Sequence, residues 1–127
     1  MIAHLDPPGL TASPAFAQGM LAEGVSRLIT VGGQNGLRPD GSLAGTDLGS
    51  QTVQALQNVL AVLSASGATQ RDVIKLGIYV VQGQDVRAAF AAAQQAWGAH
   101  RTAITVLIVA GLAVPGALIE IDALAAL

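Results

Sequence analysis

The stretch VIKLGIYVV, residues 73–81, decides the fold because its side chains alternate between two different faces. One face is mixed and carries Lys75 and Tyr79, whereas the other face is wholly apolar and consists of Ile74, Leu76, Ile78 and Val80. Alternation with a period of two predicts a β-strand. The apolar face has to be covered by helices, and the mixed face can line a second, wetter surface.

Helical patterns lie on both sides of this strand. A first helix is predicted over residues 47–66 and a second over residues 85–97, because apolar residues recur there at spacings of three and four. Thr46 or Asp47 can cap the start of the first helix, and Gly67 suits its end. The buried stripe of the second helix is expected to consist of Val86, Ala89 or Phe90, Ala93 and Trp97.

The remaining elements complete an α+β pattern. After an irregular lead-in at residues 7–16, strands are predicted at residues 20–23, 27–31, about 102–109 and about 117–125. The order ββ-α-β-α-ββ predicts a two-layer sandwich in which two helices cover one face of a single mixed β-sheet. The length of 127 residues fits one domain, residues 1–127.

The composition favours a protein that associates with copies of itself. Hydrophobic residues make up 52% of the chain and charged residues only 11%, whereas soluble domains average about 25% charged residues. The chain therefore carries more apolar surface than one small core needs. We expect the excess to form a subunit interface in a homo-oligomer.

The charge and residue usage argue against several classes of partner. The net charge is −2 and the basic residues are scattered, so nucleic-acid binding is not predicted. No uninterrupted apolar run reaches the roughly 18 residues of a membrane span. The chain has no cysteine, which excludes disulfides and thiolate metal sites. The N-terminus lacks the features of a signal peptide, which fits a cytoplasmic protein.

Charged residues beside the last two predicted strands are the main candidates for chemistry. Arg101 directly precedes the apolar stretch 102–112, and Glu120 and Asp122 lie within the closing strand. A guanidinium can hold a carboxylate through two hydrogen bonds, and a carboxylate can orient a water or move a proton. The pattern indicates a small anionic ligand, although a surface arginine and a solvated strand face, with Asp122 the more solvated acid, would also fit.

Other local motifs carry less information. Gly32 and Gly33 follow a strand, where glycine lets a ligand approach the backbone closely but also serves ordinary turn geometry. No lysine and helix follow, as a phosphate-binding loop would require. His4 and His100 have no metal-ligand spacing with acids, so no metal site is predicted. The serines lack the motif of a nucleophile elbow.

Four stretches together resemble one protein family. They are RLITVGGQ at residues 27–34, Gln51 followed by LQNV at residues 56–59, DVIK at residues 72–75, and IEIDALA at residues 119–125. They are similar to motifs of the RidA (YjgF-like) family, which is also labelled endoribonuclease L-PSP. The resemblance covers nearly the whole chain.

The resemblance implies a chorismate-mutase-like fold and a homotrimer with clefts between subunits. It also implies hydrolysis of reactive enamines and imines such as 2-aminoacrylate to 2-keto acids and ammonia, a form of metabolite damage repair, without metal or organic cofactor. Mapped onto this chain, Arg101 holds the substrate carboxylate and Glu120 is the acid near the attacking water. Gly32 and Gly33 form the backbone wall of the pocket.

The chain departs from the family pattern at several pocket positions. Phe16 stands where many members have a tyrosine, Gly32 replaces a serine, and Ala103 falls where some members have a cysteine. Phe90 occurs in place of an asparagine of the second helix, and the segment from Arg101 to Glu120 is longer. We therefore expect a more apolar pocket, with either a different imine substrate or weak activity.

Four alternatives stay open at this point. A non-catalytic trimer could bind small carboxylate metabolites in the same clefts. A holdase-like protein would use exposed apolar surface and would not need Arg101. A ribonuclease is poorly supported, because the chain has no basic groove and no acid–base histidine pair. A chorismate mutase needs several cations for a dianionic substrate, and only Arg101 can be nominated.

Overall fold

Six strands and two helices make up the fold, which a computed structural model describes over residues 1–127. In chain order they are β1 (Ile2–Leu5), β2 (Gly19–Ala22), β3 (Leu28–Gln34), α1 (Leu48–Ala65), β4 (Val73–Val81), α2 (Val86–Trp97), β5 (Ala103–Val109) and β6 (Ile119–Ala126). A short 3-10 turn, Gln70–Asp72, leads into β4. The helices and the last three strands agree with the sequence prediction to within two residues.

Four strands form the main sheet in the order β3-β6-β4-β5. Strand β5 runs parallel to β4, whereas β6 is antiparallel to both β3 and β4, so the sheet is mixed. One face packs against both helices in a single core that includes Leu56, Leu63, Trp97, Ile119 and Ile121. The predicted α+β two-layer fold is therefore confirmed.

The first two strands form a separate ribbon. Strand β1, which the sequence pattern did not predict, pairs with β2 in register Ile2 to Ala22. The strands on either side of Gly24 do not pair with each other, contrary to the simplest expectation for a short turn. The reason is that the backbone N–H groups of Ser26 and Arg27 donate to the Leu127 carbonyl, which directs β3 alongside β6.

A bulge at the start of β4 changes which of its first side chains face the core, so the alternation differs there from the predicted one. Val73 pairs with Ala125 while Lys75 pairs with Leu124, so Ile74 is an extra residue. Val73 is consequently buried in the core, and Ile74, which was predicted to face it, is only half-buried.

The helix ends follow from their capping residues. The carboxylate of Asp47 accepts a hydrogen bond of 2.8 Å from the Ser50 backbone N–H, and Gly67 after α1 has a positive φ of 80°. In α2 the buried positions are Ala89 and Trp97, whereas Phe90 is 48% exposed, so of the two residues predicted as alternatives in the stripe Ala89 is the buried one. Neither helix combines the length and apolar character needed to cross a bilayer.

A single polar side chain of α1 fastens two loops to the core. Gln51 is fully buried, and its amide nitrogen donates to the carbonyls of Gly45 and Gly116 at 2.9 and 3.2 Å. Its amide oxygen accepts from the backbone N–H of Leu118 at 2.8 Å. The backbone of Gly36 lies so close to Gln51 that a Cβ atom would not fit. Gln51 thereby fixes the chain immediately before β6.

Replacing Gln51 by leucine should strongly destabilise the fold, because two carbonyls and one N–H group lose their partners at a buried position. We expect the free energy of unfolding to fall by about 2–4 kcal/mol, measured by urea denaturation. Gln57→Leu, the same change at an exposed position of α1, should shift it by less than about 0.5 kcal/mol. Equal losses in the two variants would contradict this role of Gln51.

Candidate functional site

The carboxylate of Glu120 lies on the face of the sheet that the helices do not cover, and neighbouring residues fix its orientation. A bulge in β3 between Val31 and Gln34 brings Gly33 against it, so closely that a Cβ atom at Gly33 would overlap the carboxylate. The buried amide of Asn35 donates to the Ile119 carbonyl at 3.0 Å and to Glu120 Oε1 at 3.3 Å. Glu120 is thus oriented while remaining partly accessible.

A tyrosine and a second acid lie beside Glu120. Tyr79 is directly opposite Glu120 in the pairing of β4 with β6, and its hydroxyl donates to Asp122 Oδ2 at 3.1 Å. Gly77, opposite Asp122, leaves the room that this carboxylate occupies. Asp122 was expected to be the more solvated acid; both acids are half-buried, and Asp122 is in addition paired with Tyr79. We refer to Gly33, Asn35, Tyr79, Glu120 and Asp122 as the open-face cluster.

The electrostatics of this cluster follow from its two acids. The hydrogen bond to Asp122 and the negative charge of that carboxylate raise the pKa of Tyr79 above its usual value, and the charge of Glu120 adds to the effect. The phenol therefore stays protonated at neutral pH. It can hold Asp122 in place and accept a hydrogen bond from a water or ligand.

Arg101 lies at the entrance of β5 and is already engaged. Its Nη2 atom donates to Asp6 Oδ2 at 2.7 Å and to the Phe16 carbonyl at 3.1 Å. The pKa of Asp6 lies below its usual range. The main cause is the hydrogen bond from the Gln18 backbone N–H, and the second cause is the hydrogen bond from Arg101. Arg101 was expected to hold a ligand carboxylate, but within the chain it already forms an ion pair with Asp6, a contact without any local signal in the sequence.

This ion pair does not use the whole guanidinium. The side chains of Arg101 and Asp6 are 29% and 31% exposed. The Nη1 atom of Arg101 makes no hydrogen bond within the chain and is not buried, whereas Nε is buried without a partner. A further carboxylate can therefore still bind to Arg101 at Nη1.

The predicted site residues fall into two groups in the folded chain. Arg101, Phe16 and Ala103 lie together, since a bridge between Ala17 and Ala103 joins the N-terminal segment to β5. Gly32, Gly33 and Glu120 lie together at the bulge of β3.

The two groups are far apart within one chain. Ala103, two residues beyond Arg101, is level with Lys75 of β4, and Glu120 is level with Tyr79. At a rise of roughly 3.3 Å per residue, the backbones of Arg101 and Glu120 are about 20 Å apart along the sheet. Within one chain, Arg101 and Glu120 are therefore too far apart to contact the same small ligand.

Both histidines have structural roles. The Nε2 atom of His100 lies 3.1 Å from the Val73 carbonyl at the bulge of β4, where the Thr102 hydroxyl also donates at 3.0 Å. The Nε2 atom of His4 lies 3.1 Å from the Arg101 carbonyl. The structure groups no three histidines or acids in a way that could hold a metal ion.

Several residues of the two groups were not found by sequence reasoning. Asn35 and Asp6 lie in segments without periodicity, so only the folded chain shows their contacts. Tyr79 was visible as a polar residue on the mixed face of β4. That face also carries Lys75, whose Nζ donates to the Thr105 hydroxyl at 2.6 Å.

Comparisons with known proteins identify the relatives of this chain. The sequence model of the endoribonuclease L-PSP family matches residues 10–127. A solved structure of YyfB, a protein of unknown function of the conserved Rid protein family from Yersinia pestis, is 32% identical. The match covers 99% of this chain and 98% of that one, with a TM-score of 0.88. No curated protein matches the chain.

Two further solved structures are similar. Rv2704 from Mycobacterium tuberculosis, a member of the YjgF/YER057c/UK114 family, is 29% identical over 88% of this chain and 86% of its own, with a TM-score of 0.70. The YjgF gene product of E. coli is 28% identical over 91% and 90%, with a TM-score of 0.71. These findings confirm the RidA-like resemblance and the fold it implied.

The raised pKa of Tyr79 gives a direct test of the open-face cluster. Tyr79 is the only tyrosine, so tyrosinate absorbance reports on it alone. Asp122→Asn should lower its titration midpoint towards the ordinary value of about 10, because it removes the negative charge that disfavours the phenolate. Glu23→Gln, at an exposed acid that does not affect Tyr79, should leave the midpoint unchanged.

The same pair should make stability depend on pH in alkaline solution. Because the pKa of Tyr79 is higher in the folded chain than in the unfolded chain, the stabilisation is complete below about pH 10 and is lost as the pH rises through the folded value. A midpoint of the tyrosinate absorbance titration that is the same in wild type and Asp122→Asn would contradict the pairing of Tyr79 with Asp122.

Proposed function

The chain belongs to the endoribonuclease L-PSP family, which includes Rid and YjgF proteins, and from this premise we propose that it hydrolyses reactive 2-imino acids. The products are a 2-keto acid and ammonia, and a 2-enamino acid such as 2-aminoacrylate reacts after tautomerising to the imine. The observation that carries the proposal is the position of Glu120, held by Asn35 against a glycine whose missing side chain leaves the carboxylate accessible.

The distance between the two groups implies that the site is shared between subunits. A substrate of a few atoms cannot span the roughly 20 Å that separate Arg101 from Glu120 along one sheet. A second copy that presents its Arg101 opposite Glu120 would close a cleft around such a substrate. The exposed apolar side chains Val106, Leu107 and Ile108 of β5 are consistent with coverage by another subunit. We propose a homotrimer with this arrangement.

In the proposed reaction, Arg101 binds the substrate carboxylate through Nη1 and fixes the C=N carbon near Glu120 of the neighbouring subunit. Glu120 removes a proton from a water, whose oxygen attacks that carbon, and then returns this proton to the imine nitrogen, which regenerates the carboxylate. The resulting carbinolamine collapses to the C=O group and expels ammonia, and a proton passes from the hydroxyl through Glu120 to the leaving nitrogen. Positioning supplies much of the rate.

Removing the guanidinium of Arg101 should slow the reaction, because the protein then binds the substrate carboxylate more weakly. We expect Arg101→Ala to lower kcat/KM by roughly 10- to 100-fold, the loss typical of one charge-assisted hydrogen-bonded contact. The assay measures ammonia and keto-acid release from imines generated in situ by an amino-acid oxidase, after subtraction of the spontaneous rate. Arg87→Ala, at an exposed arginine of α2, serves as the matched control. Equal rates for wild type and Arg101→Ala would remove the catalytic assignment.

Two glycine variants distinguish a role of Glu120 in the reaction from a general effect on the fold. Gly33→Ala should push the Glu120 carboxylate away from Asn35 and reduce turnover at least about 10-fold, because misplaced acid–base groups lose most of their effect. Gly111→Ala, in the loop between β5 and β6, places a methyl group in open space and should retain near wild-type activity. If both variants hydrolyse the imine equally well while remaining folded, Glu120 is not the acting carboxylate.

A non-catalytic module that binds small carboxylates is the second candidate. It is favoured by Phe16, which lacks the hydroxyl of the family tyrosine, and by Asp6, which already neutralises Arg101. Calorimetric titration with a 2-keto acid distinguishes the two functions. Binding that depends on Arg101, without any turnover of the imine, would establish the module in place of the enzyme.

A further inference from the structure

The carboxylate of Asp6 lies beside the guanidinium of Arg101, and contacts within the chain hold it there. Asp6 directly follows β1, where the pairing of Leu5 with Gly19 of β2 sets the position of the backbone. Its Oδ1 atom accepts from the Gln18 backbone N–H at 3.0 Å, and its Oδ2 atom accepts from Arg101 Nη2 at 2.7 Å. A ligand that binds to Arg101 therefore meets a second carboxylate at a defined position.

Asp6 can accept further hydrogen bonds from such a ligand. A carboxylate has about four lone-pair positions, and the two hydrogen bonds within the chain use only some of them. The side chain of Asp6 is 31% exposed, so a ligand can reach it. The hydrogen bonds from the Gln18 backbone N–H and, second, from Arg101 lower the pKa of Asp6, so its carboxyl group is ionised at neutral pH.

A free donor and a free acceptor therefore lie next to each other at Arg101. Its Nη1 atom makes no hydrogen bond within the chain, whereas Nη2 donates to Asp6 and to the Phe16 carbonyl. Because Nη1 and Nη2 are attached to the same carbon atom, a ligand of a few atoms can reach both Nη1 and Asp6. A ligand carboxylate at Nη1 then leaves the substituent on the neighbouring carbon to contact Asp6.

That substituent differs between the substrate and the product of the proposed reaction. In a 2-imino acid it is the C=N–H group, whose N–H can donate a hydrogen bond to Asp6. In a 2-keto acid it is a carbonyl oxygen, which has only lone pairs and is repelled by the carboxylate. A site that hydrogen-bonds an N–H group discriminates strongly against an analogue that lacks this group.

We propose that Asp6 is a specificity-determining residue, which selects carboxylic acids with an N–H group on the neighbouring carbon over 2-keto acids. This role rests on the proposed function, in which the substrate carboxylate binds to Nη1 of Arg101. Asp6 accepts a hydrogen bond from the imine nitrogen of the substrate. It loses this partner when the nitrogen leaves as ammonia, and the repulsion that remains promotes release of the keto acid.

Three stable compounds test this selection without turnover. Free alanine, pyruvate and propionate share one carbon skeleton and a carboxylate, and alanine carries an ammonium group where the substrate has its imine N–H. Titration of the full chain, followed by NMR through the Gln18 backbone N–H, should show that alanine binds at least about tenfold more tightly than pyruvate. Propionate, which has neither group, should lie between them. Equal affinity for alanine and pyruvate, or tighter binding of pyruvate, would overturn the proposal.

Asp6→Asn distinguishes selection from simple competition for Arg101. The amide oxygen of asparagine can still accept from the Gln18 N–H, so the backbone keeps its contact while the negative charge is lost. The preference for alanine over pyruvate should fall by at least about fivefold. Asp40→Asn, at an exposed acid that also accepts a backbone hydrogen bond, should keep the wild-type preference. If folded Asp6→Asn binds all three compounds more tightly by the same factor, Asp6 only competes for Arg101 and the selection is refuted.

Arg101→Gln separates a failure of this role from a failure of the proposed function. It should abolish the binding of all three compounds, and binding that does not depend on Arg101 would remove both proposals. Binding that depends on Arg101 but shows no preference for alanine would refute the role of Asp6 alone. The titrations need no turnover, so an absence of imine hydrolysis does not change their outcome.

Discussion

The register of β6 between β3 and β4 is the constraint on which the rest of the structure depends. Its residues alternate strictly, so Ile119, Ile121 and Ala123 enter the core while Glu120 and Asp122 face the open side. A slip of one residue would exchange the two faces and bury both carboxylates. The hydrogen bonds of Gln51 to the loop before β6 and of Asn35 to the Ile119 carbonyl therefore set the position of Glu120 as well as stabilising the fold.

Local periodicity was sufficient to predict the helices and β4, because their burial patterns repeat over many residues. It could not predict the pairing of β1 with β2 or the bulge at Ile74, since both depend on partners distant in the sequence. The contact between Asp6 and Arg101 joins residues 95 positions apart and leaves no local signal. Periodicity also could not decide between Ala89 and Phe90, because adjacent positions of α2 fit the apolar stripe almost equally well.

The ion pair of Arg101 does not exclude a role in binding. A half-exposed ion pair of this kind contributes little to stability, because water screens the two charges, so either partner can exchange its contacts at little cost. Asp6 is held independently by the Gln18 backbone N–H, and it therefore does not depend on Arg101 for its position. An additional anion at Nη1 meets the repulsion of Asp6, which would favour ligands that gain further contacts elsewhere.

Two strand glycines leave room for the carboxylates of the open-face cluster. Glycine weakens a strand because it loses more backbone freedom on folding and offers no side chain to pack. Yet Gly33 and Gly77 lie where any side chain would collide with Glu120 and Asp122 respectively. Solvated surface acids need no such space, because they can turn towards water. The pairing of each carboxylate with a glycine therefore lets Glu120 and Asp122 lie against the sheet beside Tyr79, which is the arrangement that the proposed role of Glu120 requires.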